Sequence, residues 1–203
     1  MNRKGVFSIT MNIGPESMIS IFLGIGLAAS AGFRVFLPLF ALSLAAFSGF
    51  WELNGEWAWI GSLPALITLG VAMLVEIFAY FIPWVDNLLD SIAIPLAGIA
   101  GTAAMVSSVA GLDPVTTWAL AIIAGGGTAT IIKGANAAGR LTSSATTGGL
   151  ANPVVSVVET GTAVAVSTAS ILVPPIAVIL VIIILVITFR IYRKLRPRKK
   201  NSG

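Results

Sequence analysis

Three ionisable residues, Arg34, Glu76 and Glu159, lie inside long apolar stretches of the sequence. A charged side chain at the centre of a membrane helix costs about 2.5–3.5 kcal/mol on insertion scales, so each one is a candidate functional residue. Both acids are predicted about 10 Å into the inner leaflet, where they could face one another. Such a pair would suit proton coupling. The alternative is structural: Arg34 neutralises one of the acids in an ion pair.

A second pair of acids, Asp86 and Asp90, follows the helix-breaking Pro83. Because the two aspartates are four residues apart, a helix would place them on one face. Carboxylate oxygens there could bind a hard cation or a proton. Acids at a helix start are also favoured by the helix dipole alone. Two carboxylates do not identify a metal, and no metal or other cofactor is predicted.

Residues 134–153 are polar but contain no acid and one cation, Arg140. One prediction is a loop that dips into the helix bundle and offers hydroxyls, amides and a guanidinium to an anion or a polar head group. An ordinary cytoplasmic loop is the alternative. The polar candidates in this loop are Asn136, Thr146, Thr147 and Asn152.

The glycine triplet at 125–127 precedes Lys133 in a way that superficially suggests a phosphate-binding loop. Gly134 stands where that motif needs Ser or Thr, so the motif is not matched. Three glycines in a membrane helix instead indicate close helix packing or local unwinding.

Composition sets the class of protein that must position these residues. Of 203 residues, 57% are apolar and only 10% are charged, against about 25% charged in soluble domains. This composition excludes a soluble globular enzyme. The sequence has no cysteine and no histidine, which excludes disulfides, zinc-type sites and histidine-based catalytic triads. We therefore expect an all-α polytopic membrane protein that is not an enzyme and has no catalytic residue.

Six apolar segments are long enough to cross a bilayer core of about 30 Å. Basic residues near the first and last spans predict that both termini are cytoplasmic. The predicted organisation is a cytoplasmic tail at 1–17, a single transmembrane domain at 18–195 and a basic cytoplasmic tail at 196–203. The six segments are residues 18–50, 59–82, 91–112, 114–134, 152–173 and 176–195.

The first segment, 18–50, is too long for one crossing, and Gly32, Arg34 and Pro38 interrupt it. A broken span or a re-entrant hairpin would solve this, because irregular backbone is tolerated where it lines a protein cavity. The start of the chain also imitates a signal peptide with a small-residue cleavage site at 29–31.

Residues 28–34 and residues 136–140 show a weak internal sequence similarity. Division of the chain near residue 113 would give three spans per half. An odd number of spans makes the two halves inverted, and inverted repeats are typical of secondary transporters.

Four strings resemble a family of bacterial integral-membrane proteins catalogued as a domain of unknown function, number four-one-two-six. The resemblance covers residues 20–190 and implies a multi-span protein of the bacterial inner membrane, with no activity attached to it. The strings are Ala-Gly-Phe-Arg34-Val-Phe-Leu-Pro38-Leu, Ile-Pro83-Trp-Val-Asp86-Asn-Leu-Leu-Asp90, Ala-Gly-Gly-Gly127-Thr and Ala-Thr-Thr-Gly-Gly149-Leu-Ala-Asn152-Pro153-Val.

These features favour a small permease or channel for an ion or small polar solute, with proton coupling through the buried glutamates as one mode. The first alternative is binding or translocation of an anionic lipid by Arg34, Lys133 and Arg140. The second is a non-catalytic membrane assembly subunit. Expected partners are the lipid bilayer, a solute or ion, and a second copy through the small-residue face of Ala97 and Gly101. No nucleic acid is expected.

Overall fold

A computed structural model describes residues 14–195, all of whose regular structure is helical. The eight α-helices are α1 (Pro15–Ala31), α2 (Phe36–Phe47), α3 (Leu63–Ala79), α4 (Pro83–Ser108), α5 (Pro114–Leu120), α6 (Gly127–Thr147), α7 (Asn152–Leu172) and α8 (Pro174–Leu195). A 3-10 helix at Gly55–Gly61 precedes α3, and a π-helical turn at Ala121–Gly126 joins α5 to α6. Within this range the side chains of Pro83, Trp84, Asp86, Asn87, Ile191, Tyr192, Lys194 and Leu195 are outside the described part.

Local sequence signals explain where several helices begin and end. Proline stands in the first turn of α1, α3, α4, α5 and α7, where its missing N–H costs nothing. Asp113 caps α5, since its Oδ1 accepts a hydrogen bond from the backbone N–H of Thr116 at 3.1 Å. Hydrogen bonding by Thr116 lowers the pKa of the Asp113 carboxyl. Gly148 ends α6 with a left-handed φ of 62°.

Helices α1 and α2 form an antiparallel hairpin whose tip is residues 32–35. Leu23 in α1 packs in one cluster with Leu42 near the end of α2. The start of α1 lies against the α4–α5 loop, because Ser20 Oγ accepts a hydrogen bond from the backbone N–H of Ala110 at 3.1 Å. The segment after α2 returns to the same place, where the N–H of Asn54 donates to Ser107 O at 2.9 Å. Both outer ends of the hairpin therefore lie at the same end of the bundle.

The predicted six spans are not found in this part of the chain. Three helices, at residues 88–108, 114–147 and 152–172, are long and apolar enough to cross a membrane, or four if the bent pair of the 3-10 helix and α3 is one span. The several apolar helices make this a membrane protein. With 17 and 12 residues, α1 and α2 are only about 26 and 18 Å long. The first predicted segment folds back on itself as α1 and α2, which agrees with the re-entrant form of the two forms predicted for it.

Residues 134–147 form helix and not the predicted polar loop. They continue α5 and the π-helical turn in one helix of 34 residues, Pro114–Thr147. Hydroxyls in this region donate to carbonyls of their own helix, as Thr142 does to Ala138 O at 2.9 Å and Thr147 to Ser143 O at 2.7 Å. Polar side chains satisfied in this way do not require a loop. Only residues 148–151 form the turn into α7.

The glycines of the π-helical turn pack against α4, as predicted for close helix contact. A Cβ built on Gly125 would lie 2.7 Å from Gly101 O, and one on Gly126 would lie 3.0 Å from Gly98 O. Ala97 is fully buried on the same side of α4. The face of Ala97 and Gly101 predicted for a homodimer is thus used inside the chain, and a homodimer through another face stays a prediction.

The two predicted inverted halves have different architectures in the described range. Before residue 113 the chain forms the hairpin, the 3-10 helix, α3 and α4, whereas after it three long helical segments follow one another. Arg34 lies at the hairpin tip and Arg140 lies in the middle of a helix. The sequence similarity between residues 28–34 and residues 136–140 therefore does not correspond to repeated backbone structure.

Single-cysteine labelling can test the hairpin, because the natural sequence has no cysteine. We expect Glu16→Cys and Glu52→Cys to react with a membrane-impermeant maleimide from the same side, and Leu150→Cys from the opposite side. All three side chains are exposed. Six simple spans would instead put position 16 on the side of position 150, and labelling in that pattern would contradict the hairpin.

Candidate functional site

The tip of the hairpin places Arg34 in the centre of the bundle against α7. The side chain is fully buried. Its Nη2 donates to Ser156 O at 2.9 Å and to Ser156 Oγ at 2.5 Å, and its Nε donates to Thr160 Oγ1 at 3.0 Å. Nη1 is buried without a hydrogen-bond partner. This N–H group is therefore an unused strong donor, from which a water molecule or a polar solute could accept a hydrogen bond.

Glu76 of α3 caps the open start of α2 at the same tip. Its Oε1 accepts a hydrogen bond from the N–H of Val35 at 2.7 Å, and its Oε2 accepts one from the N–H of Phe36 at 3.0 Å. Val35, the residue at the cap position, offers no side-chain cap. The carboxylate of another helix satisfies these donors and complements the positive end of the helix dipole.

Glu159 of α7 forms the most direct ion pair of the site with Arg140 of α6. Arg140 Nε donates to Oε1 at 3.1 Å and Nη2 donates to Oε2 at 2.5 Å. Arg34 Nη2 lies 3.9 Å from the same Oε2. This two-point geometry is the strong form of a charge-assisted hydrogen bond. It links the hairpin tip, α6 and α7 through one carboxylate.

Tyr80, at the end of α3, is surrounded by the three cations. The guanidinium carbons of Arg34 and Arg140 lie 4.3 and 4.5 Å from the centre of its ring, and Lys133 Nζ lies 5.1 Å from it. Lys133 Nζ also donates to Tyr80 Oη at 3.1 Å and to Phe33 O at 3.4 Å. Cation–π attraction of this kind is worth most where water is excluded.

Three acids balance these three cations, so the formal charges of the six side chains sum to zero. The acids are Glu76, Glu159 and Asp90, and Asp90 acts electrostatically on Tyr80 and Lys133. Each buried charge loses several kcal/mol of hydration, which only pairing and hydrogen bonds offset. Among the described residues no group of three or more acids is placed to hold a metal ion. We call these six ionisable residues and Tyr80 the charge cluster, whose members are Arg34, Glu76, Tyr80, Asp90, Lys133, Arg140 and Glu159.

The structure brings together most of the predicted ionisable residues, but it brings only one of the four polar candidates of 134–153 to the hairpin tip. Asn136 does reach the tip, where its side-chain amide donates to Gly32 O at 3.3 Å. Thr146 and Thr147 are exposed near the turn after α6, and Asn152 donates to Ser144 Oγ at 3.1 Å. The side chain of Asp86 lies outside the described part.

Sequence reasoning missed the aromatic centre of the cluster and a set of hydroxyls on α7. Tyr80 stands beside a proline-containing break, where it gives no signal of its own. The hydroxyls of α7 at positions 156, 160, 167 and 170 do have helical spacing, which a search for polar periodicity could have found. Ser30 Oγ lies 2.7 Å from Ser167 Oγ and donates to Ala163 O at 2.9 Å, which holds α1 against α7.

A cleft of about 390 Å³ lies between α3 and α4 and reaches the charge cluster. Glu76 and Tyr80 line its inner end, with exposed fractions of 7% and 3%. Val71, Val75 and Leu96 line its mouth and are exposed on the apolar surface of the bundle. The cleft thus connects a surface suited to lipid with a buried carboxylate.

Residues 21–194 match the model of one protein family, described as "Domain of unknown function (DUF4126)". No curated protein matches the chain, and no solved structure does either.

The Glu159–Arg140 pair makes a prediction about stability. Glu159→Gln would leave Arg140 buried without its counter-charge, so we expect the free energy of unfolding to fall by about 3–5 kcal/mol. The exposed Glu52→Gln should change it by less than about 0.5 kcal/mol. Reversible unfolding in mixed detergent would measure both. If Glu159→Gln were as stable as the control, the pair would contribute nothing to the fold.

Proposed function

This chain belongs to the DUF4126 family, whose description assigns no activity, and we propose that it is a small membrane permease for an ion or small polar solute, coupled to protons through Glu76. The observation that carries the proposal is the charge cluster at the tip of a helical hairpin inside the bundle. Charges of this kind are costly in a membrane protein and typically mark ion or solute pathways.

The broken hairpin supports the same proposal. Transporters often build their sites where a helix is interrupted, since the exposed N–H and C=O groups at a break are free to bind. Here the start of α2 is held by Glu76 through the N–H groups of Val35 and Phe36. The element that would move is therefore attached to a side chain whose charge depends on proton binding.

Protonation of Glu76 would weaken this attachment. A neutral carboxylic acid accepts weaker hydrogen bonds than a carboxylate and no longer complements the dipole of α2. The hairpin tip would then be released from α3, and the solute path beside it would open or close. Coupling arises because one carboxylate binds the proton and also holds the tip.

Glu76 is better placed for coupling than Glu159. Glu76 lines the cleft, so a group that enters the cleft can contact its carboxylate. Both oxygens of Glu159 are bound by Arg140, and the side chain is buried. Glu159 therefore suits the role of an anchor for the two arginines.

The alternative functions are less well supported. Arg34, Lys133 and Arg140 do converge, as an anionic lipid site requires, but they are almost completely buried and are matched by three acids. No feature of the described residues favours an assembly subunit over a permease. The proposal includes no catalytic step.

We further propose a bacterial inner-membrane location with the end of α8 in the cytoplasm. The basic residues of 190–200 favour that side. Lys133 and Arg140 do not contribute to this signal because they are buried in the cluster. The hairpin then puts the start of α1 on the outer side, which differs from the prediction that both termini are cytoplasmic.

A flux assay tests the permease. Purified protein would be reconstituted into liposomes with an internal pH-sensitive dye, and inorganic cations, organic cations, anions and neutral metabolites would be added in turn. We expect one solute class to drive proton movement, and Glu76→Gln to reduce the rate at least about tenfold while the exposed Glu56→Gln leaves it unchanged. Well-folded wild-type protein that gives no signal with any solute would overturn the proposal.

A further inference from the structure

We infer that the cleft between α3 and α4 binds an amphiphilic organic cation, which enters sideways from the bilayer and places its charged group against Glu76. This inference rests on the proposed function and names its substrate class. It is drawn from the shape of the cleft, the sign of the charge inside it and a second groove that lacks such a charge.

The shape of the cleft fits a molecule with one apolar and one polar end. Its mouth is formed by Val71, Val75 and Leu96, whose exposed fractions are 56%, 62% and 36%. Its inner end is formed by Glu76 and Tyr80. Small-molecule sites are typically apolar cavities of about 300–1,000 Å³ with a few converging polar groups. An apolar chain would occupy the mouth while its head reaches the carboxylate.

The charge inside the cleft selects a cation. Glu76 is the one ionisable acid or base among the residues that line it, apart from the phenol of Tyr80. Arg34 and Lys133 are 0% and 1% exposed and do not line it. Each Glu76 oxygen accepts one backbone hydrogen bond, and a carboxylate has about four acceptor positions. Glu76 can therefore contact a cationic group without releasing α2.

A second apolar groove of about 520 Å³, between α6 and α8, provides an internal comparison. Ile131, Ala135, Leu185 and Phe189 are among its lining residues, and none of its lining residues is ionisable. Lipid chains can fill either groove. Of these two grooves, only the cleft between α3 and α4 combines an apolar wall with a carboxylate, so selection by head-group charge is expected there and not in the α6–α8 groove.

Binding of the cation and of a proton would compete at one carboxylate. A protonated Glu76 has no charge to attract the cation, and a bound cation disfavours protonation. In a permease that exposes the site to each side of the membrane in turn, such competition would produce exchange, since the site carries either a proton or the solute. The class of solute and the coupling ion of the proposed permease then follow from the same residue.

The test compares three photoreactive probes that share one alkyl chain and differ in the head group: trimethylammonium, hydroxyl and sulfate. Protein in lipid nanodiscs would be labelled with each probe, and modified peptides would be located by mass spectrometry. We expect the ammonium probe to label the cleft residues of α3 and α4 at about one-tenth of the concentration that the hydroxyl probe needs, which corresponds to about 1.4 kcal/mol. Labelling of the α6–α8 groove should not depend on the head group.

Two alanines provide matched variants, since both are half-buried and each lines one groove. Ala72→Leu narrows the α3–α4 cleft and should abolish the ammonium preference, whereas Ala135→Leu should preserve it. Glu76→Gln should make the three probes equivalent at the cleft. Equal labelling by all three probes in the wild type, or a preference for the sulfate, would overturn the inference.

The labelling result is independent of transport. Selective ammonium labelling without any solute-driven proton flux would support the binding site and overturn the proposal of a permease. Flux of another solute class together with unselective labelling would support the proposal of a permease and overturn the inference that it binds an amphiphilic cation.

Discussion

The hydrogen bonds from the start of α2 to the Glu76 carboxylate are the interaction on which the site depends. A hairpin tip inside an apolar bundle exposes backbone N–H groups that no water is available to satisfy. One carboxylate accepts two of them, at 2.7 and 3.0 Å. The carboxylate is itself a buried charge and needs cations nearby, and Lys133 and Arg34 act on it electrostatically. The break between α1 and α2 and the charge cluster therefore depend on each other, because the Glu76 carboxylate satisfies the N–H groups of the break and the cations stabilise that carboxylate.

Charge balance extends this dependence across the bundle. Arg34 is held by hydroxyl and carbonyl groups of α7, Arg140 by Glu159, and Lys133 by Tyr80 and the carbonyl of Phe33. These partners lie in α7, at the end of α3 and at the hairpin tip, so the three cations connect the hairpin tip and α6 to α3 and α7. A neutral core of the same size would be easier to bury. The cost of burying such a network is one reason to propose that its charges respond to a proton or an ion.

The sequence predicted the class of protein, and the ionisable residues that lie buried in it, more successfully than the arrangement of those residues. Arg34, Glu76 and Glu159 were identified because charges in apolar stretches are exceptional, and Arg140 was identified as the one cation of residues 134–153. The interruption near Gly32 was read from residue types alone. The pairing was only partly accessible: Arg34 was one possible partner for either glutamate and lies 3.9 Å from Glu159, but the partner that binds Glu159 most closely is Arg140. Residues 134–147 were expected to be a loop because polarity suggested it, yet hydroxyls satisfied within their own helix removed that requirement.

The sequence by itself determined an all-helical membrane protein, since so few charges cannot cover a soluble surface and long apolar runs without strand periodicity leave only helices. It also determined that ionisable groups would have to be paired inside. Only the tertiary structure decided that residues 15–47 fold back as a hairpin, because the length of an apolar run does not reveal its direction. Tertiary structure likewise decided that Tyr80 lies among three cations and that a cleft reaches Glu76, since both depend on contacts between segments far apart in the chain.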